Sequence, residues 1–300
     1  MNTLRSLQTH RGLAFMAIPG LIVFFLFYYV PMAGIVVAFK DFTVREGIFG
    51  SQWAGLDNFR RLFEHEGFRS ALGNTFIISL LRLSFGFFAP IVLALLLNEL
   101  RSAALRRTLQ TVTYLPFLFS WIILSGIFLL VFSIEGPINS LLLHSRHAPI
   151  SFLSDDAWFL TLVIATGIWQ SAGYGAVIYL AALAGISPEL YEAARVDGAN
   201  RWHQMRHISL PGLSPTIVVL LILNLGHVLN AGFDQIYNLY NPHVYDVADI
   251  IDTYVLRRVF NLQLGLSTAA DLLKSVVGLI FLLCANRLAR AATKGEHGVF

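Results

Sequence analysis

Residues 186–211 read ISPELYEAARVDGANRWHQMRHISLP, a charged island between two long apolar runs. Ser187 can cap a helix, with Pro188 at its first position and Glu189 near its positive end. Gly198 is placed to take the left-handed conformation that closes this helix. A second short helix from about Asn200 to His207 follows, and Leu210 with Pro211 opens the next apolar run. The island therefore reads as a compact helix–turn–helix that offers Glu192, Arg195 and Asp197 to a partner.

Outward from this island the chain is strongly apolar. Of its 300 residues, 56% are hydrophobic and only 13% charged, with a mean hydropathy of +0.66. An ordinary soluble domain carries about 25% charged residues, so the composition points to a bilayer as solvent. The single cysteine, Cys284, allows no internal disulfide. A formal charge of +3 is too small to argue for nucleic acid.

Crossing the hydrocarbon core takes about 20 mostly apolar residues. Six runs qualify: 13–39, 71–97, 109–132, 158–183, 210–229 and 269–288. The first is too long for the apolar region of a signal peptide and lacks a small-residue cleavage site, so it is read as a span. Pro19, Pro31, Pro90, Pro116 and Pro215 lie within or at the ends of these runs and should kink or start helices. Lys and Arg are denser in 1–12, 98–108, 184–209 and 289–300 than in 40–70, 133–157 and 230–268. Arg101, Arg106 and Arg107, and Arg290 with Lys294, carry that bias, which places both termini in the cytoplasm. Between spans, residues 57–66 and 247–260 show amphipathic helical spacing. The expected architecture is an all-α integral membrane protein of six transmembrane helices, one domain over 1–300.

The island has a second reading. Glu192-Ala193-Ala194, Gly198, Ile208 and Leu210-Pro211 at their spacing resemble the signature loop of binding-protein-dependent ABC importer permeases. Residues 31–42, 47–51, 53–59 and 241–254 are similar to the polysaccharide-type branch of the sugar permeases, alginate-oligosaccharide importers included. The resemblance implies a type I importer permease fold in a bacterial inner membrane. It implies a peripheral first helix at 13–39, core helices over 71–288 and a coupling loop at 187–208. Glu192, Ala193, Ala194, Asp197 and Gly198 would then dock into a separate ATPase. The implied partners are a second permease, two ATPases that hold ATP and Mg, an external sugar-binding protein and membrane lipid. This chain would bind no cofactor, and oligosaccharide, including acidic alginate-like sugar, would be the cargo.

A route for sugar needs polar groups at mid-membrane, where they are otherwise costly. Asn224, His227 and Asn230 are spaced by three and three and should share a helical face. Gly167, Ser171 and Tyr174 should share another, with Gly173 and Gly175 allowing close packing. The resemblance adds Gln170, Val228 and Ala231 to the path. Asn and His on membrane helices also simply join helices, at about 0.6 kcal/mol each. Arg82 is a lone cation midway in the second run and needs a partner: a carbonyl, the companion permease or an acidic sugar. Asp271 and Lys274, one turn apart, read as an ion pair.

Other signals carry less. No phosphate-binding loop of the Gly-x-x-x-x-Gly-Lys type exists, so the chain is not expected to hydrolyse ATP. His203 and His207 lack a third metal ligand. Gly173-Tyr174-Gly175 lies in a continuous span instead of a re-entrant filter. Asp155 and Asp156 suit a helix start. The alternatives are an ion-coupled secondary transporter, for which Asp271 is the one intramembrane acid, or a permease for another small solute.

Overall fold

The computed structural model describes residues 11–292; most of the basic segment 1–12, and Lys294, lie outside that range. In chain order the elements are helix α1 (Phe15–Phe39), strands β1 (Lys40–Asp41) and β2 (Gln52–Trp53), and helices α2 (Asp57–Glu64) and α3 (Glu66–Asn98). Helices α4 (Ala103–Leu118), α5 (Trp121–Val131), α6 (Pro137–His144) and α7 (Asp156–Ala184) follow. The remainder comprises α8 (Pro188–Val196), α9 (Arg201–Gly226), α10 (Phe233–Leu239), α11 (Ile251–Phe260) and α12 (Leu264–Ala292). The architecture is all-α, and the one sheet among the described residues is a two-stranded antiparallel pair with Lys40 opposite Trp53.

Among the described residues five helices are long and apolar enough to cross a membrane, and a sixth candidate is the pair α4 and α5. That pair departs from the continuous span expected at 109–132, because it bends by 99°. Pro116 starts a tight turn, and Phe119 and Ser120 are both extended, which stops the hydrogen-bond ladder. Helix α9 also differs from expectation. It begins at Arg201, runs through a π-helical turn at Met205–Ser209 and ends at Gly226, so 227–229 are not helical.

Two compact units emerge from the chain's contacts, Met1–His65 with Val255–Leu273 and Glu66–Tyr254 with Lys274–Phe300. In the first, α1 exposes Phe15, Phe24, Phe25, Phe27 and Tyr28. Such a run of exposed aromatics is tolerable in lipid or against another protein, not in water. The buried Asn58 amide donates to the carbonyls of Ala38 and Lys40, both at 2.9 Å, and pins α2 to the end of α1. His65 accepts from Arg258 at 2.6 Å; partial burial, then that cation, lowers the imidazole's pKa.

The second unit is built around α7. Asp155 caps it, accepting from the backbone of Ala157 at 3.1 Å and Trp158 at 3.0 Å. Gly173 lies against the backbone of Thr113 and Tyr114, and Gly175 against the Pro90 ring. Those contacts bring α4 and α3 onto the same helix. Asn74 donates to the carbonyls of Asp246 and Asp249, which holds the segment before α11 against α3. Lys274 has a carboxylate partner that the sequence reading missed, Asp252 at 2.6 Å, with both side chains largely buried.

Candidate functional site

Helices α3, α7 and the end of α9 surround a cavity of about 380 Å³, within the usual range for a ligand site of roughly 300–1,000 Å³. Helix α7 contributes Gly167, Ser171 and Tyr174, one face as the spacing predicts. Asn224 comes from the last turn of α9. His227, Val228 and Asn230 also line it, but for a different reason from the one expected. His227 caps the helix with φ −108°, and the chain then turns, with the backbone N–H of Asn230 donating to the His227 carbonyl at 2.9 Å. A turn, not a helical face, brings them together.

Two expected residues are elsewhere. Gln170 does not line the cavity: at about 100° per residue it falls outside the stripe centred on Ser171 and Ile178. Ala231 is fully buried in an apolar cluster with Phe159, Ile236 and Leu239. Conversely, Ser79, Gly86, Phe87 and Pro90 of α3 line the cavity unannounced. Their signal was present, since Ser79 lies one turn before Arg82.

Polar groups in the cavity are held by their own helices. Ser171 donates to the Gly167 carbonyl at 2.9 Å, and the Asn224 amide donates to the Leu220 carbonyl at 2.8 Å. The Tyr174 ring stacks on Phe117 with centroids 4.0 Å apart and planes 7° apart. The stack fixes the orientation of the Tyr174 ring at the cavity wall. Arg82 stands in a π-helical turn, Arg82–Gly86, and lines the same cavity. Its Nη2 donates to Oε1 of Gln235. Gln235 is fully buried, and its amide nitrogen donates to the Val163 carbonyl at 2.9 Å and to Thr166 Oγ1 at 2.7 Å.

The island at 187–208 forms a separate feature. Ser187 accepts from the Glu189 backbone at 3.3 Å and Pro188 opens α8. Gly198 has φ +80°, with its N–H bonded to the Arg195 carbonyl and that of Ala199 to the Ala194 carbonyl. These two bonds form a Schellman closure. Glu192, Ala193, Asp197 and Gly198 are exposed, and Ala194 is half-buried. The expected second helix starts at its Asn200 cap, which accepts from the His203 backbone at 2.9 Å, and continues into α9. Among the described residues no cluster of three or more His, Cys, Asp or Glu could hold a metal ion.

Residues 86–294 match the family of binding-protein-dependent transport system inner membrane components. The chain is 44% identical to the polygalacturonan/rhamnogalacturonan transport system permease protein YteP of Bacillus subtilis, over 95% of this chain and 89% of that protein. It is 33% identical to the lactose permease LacF of Rhizobium radiobacter, over 62% of this chain and 63% of that protein. Among solved structures it is similar to a bacterial ABC transporter that imports the acidic polysaccharide alginate. That likeness has a TM-score of 0.90 and 38% identity, and covers 98% of this chain and 100% of the other. A further match, with the same score, is that transporter in complex with an alginate pentasaccharide-bound periplasmic protein.

Proposed function

The chain belongs to the inner membrane components of binding-protein-dependent transport systems and is a multi-pass permease of the ABC sugar importers, and from that premise we propose that its central cavity is the sugar path. As a translocating subunit it is not an enzyme. The cargo is an oligosaccharide, acidic sugars of the alginate class included, as the names of the relatives suggest. One observation carries the reading: Arg82, Ser171, Tyr174, Asn224, His227 and Asn230 converge on one cavity formed by helices of membrane-spanning length. Ionisable and polar groups gathered on one cavity within membrane-spanning helices mark a substrate path more often than a packing contact.

In this reading the whole chain works as one permease domain in the bacterial inner membrane, with both termini cytoplasmic. A second permease completes the path, and two ATPases carry ATP and Mg. An external binding protein delivers sugar, as in the pentasaccharide complex of the neighbour. The knob of Glu192, Ala193, Ala194, Asp197 and Gly198, exposed except at half-buried Ala194, docks on an ATPase. ATP-driven closure there rocks the spans between inward-open and outward-open states around the cavity.

The test is uptake of radiolabelled oligosaccharide into proteoliposomes that hold the whole complex. Ser171→Trp should fill the cavity and lower uptake at least about tenfold, while ATP hydrolysis persists. Unimpaired uptake by that variant would refute the assignment of the path.

A further inference from the structure

Arg82 is a cation without a counter-charge among the described residues. Among the described residues its one hydrogen-bond partner is the neutral oxygen of Gln235, and its Nε is buried with no partner. A guanidinium has five donors, so most of its capacity is unused. Two carboxylates, Asp234 and Asp252, line a different recess with Gln235 instead of the cavity with Arg82. Asp252 is engaged by Lys274, and Asp234 is exposed. Buried charges are otherwise paired, because desolvation of an isolated ion is costly.

The surroundings are shaped for the guanidinium. A Cβ at Gly232 would overlap it, and a Cβ at Gly167 would lie 3.4 Å from Nη2. Gly232 has φ +86°, so its lack of a side chain serves both the turn and the space. Gln235 cannot flip its amide without losing two hydrogen bonds, so its oxygen stays on Arg82. One turn before Arg82, the Ser79 hydroxyl also lines the cavity and is buried without a partner. A fixed cation that no described residue balances, in a cavity whose lining also offers Ser79, Ser171, Asn224 and His227, is a site for an anion that comes and goes.

We propose that Arg82 is the specificity-determining residue of the path, recognising the carboxylate of an acidic oligosaccharide as it passes. The planar fork suits a carboxylate, which can accept two parallel N–H bonds from it. This inference rests on reading the cavity as the sugar path.

The experiment is ligand-observed NMR on the whole complex in nanodiscs, without the external binding protein, so that only the membrane path selects. The probes are a galacturonate trisaccharide and an alginate trisaccharide, each against its fully methyl-esterified form. Wild type should bind acid at least about tenfold more tightly than ester, Arg82→Gln should bind both alike, and Arg82→Lys should fall between. A wild type without preference, or an Arg82→Gln complex that keeps it, overturns the proposal. Should Arg82→Gln fail to assemble, Arg82→Lys decides: a point charge lacks the fork, so an unchanged ratio overturns the proposal. Ser171→Trp separates the two layers of inference. If it leaves binding of acid and ester intact, the path reading fails, and the proposal with it; if it abolishes both while Arg82→Gln keeps the preference, only the role of Arg82 fails.

Discussion

Gly198 gives the proposed coupling its most direct test. Its φ of +80° is a conformation that L side chains rarely adopt, and no atom lies within 4 Å of where a Cβ would stand. Substitution there is therefore almost purely a backbone perturbation, free of steric clash. The left-handed penalty is roughly 1–2 kcal/mol for Ala; a β-branched residue is worse still. Asn, which visits this region through its short polar side chain, should cost under about 1 kcal/mol. If the knob must keep its Schellman closure to engage an ATPase, 1–2 kcal/mol lowers the engaged population about five- to thirtyfold. Sugar uptake and ATP hydrolysis measured together in proteoliposomes should show coupling falling in the order Gly, Asn, Ala, Val. Membrane insertion and yield should stay level, because nothing packs on the site. Equal coupling in the Asn and Val variants would refute the reasoning, since it would mean that the turn's geometry is irrelevant.

Two further outcomes concern stability, read as thermal unfolding of the detergent-solubilised complex. Removing one member of the Asp252–Lys274 pair, with side chains 22% and 13% exposed, strands a largely buried charge and should cost about 2–4 kcal/mol; the double change Asp252→Leu with Lys274→Met should recover most of it. Gly173→Ala places a Cβ on the backbone of Thr113 and Tyr114, which cannot yield as a side chain would, and should cost about 3 kcal/mol; Gly126→Ala, with no neighbour within 4 Å, should be near neutral and serves as the control.

Much of this was legible because bilayer and helix caps act locally. Apolar runs announce spans, and Ser187, Pro188, Gly198 and Asn200 announce the knob by chemistry confined to a few neighbours. Failures came where geometry is not a sum over composition. Residues 115–120 read as one more apolar stretch, yet extended dihedrals at Phe119 and Ser120 break the span. The helical period that groups Asn224, His227 and Asn230 in the sequence stops at Gly226 in the structure. Long-range pairs were invisible for another reason. Arg82 meets Gln235 across 153 positions, and nothing in either segment names the other. Asp252 reaches Lys274 across a turn whose path the sequence does not specify.

Helix α9 runs from the knob to the cavity. Its 26 residues extend about 39 Å at 1.5 Å per residue. At one end stands the Asn200 cap, two positions after Gly198; at the other stand Asn224 and His227. Tyr191 of the knob's first helix bonds to Ser209 at 2.9 Å, so α8 and α9 are joined beyond their shared turn. Arg201 donates to the Glu99 carbonyl at 2.9 Å, which ties the same end to the chain leaving α3, the helix that carries Arg82. Two walls of the cavity are thus anchored beside the knob. Each of these helices carries a π-helical turn, Met205–Ser209 in one and Arg82–Gly86 in the other, and each also holds an interior proline, Pro215 and Pro90. Those turns sit beside the knob and at Arg82. In the proposed coupling, force entering at the knob would meet one of these turns beside the ATPase-docking residues and the other beside the proposed sugar path.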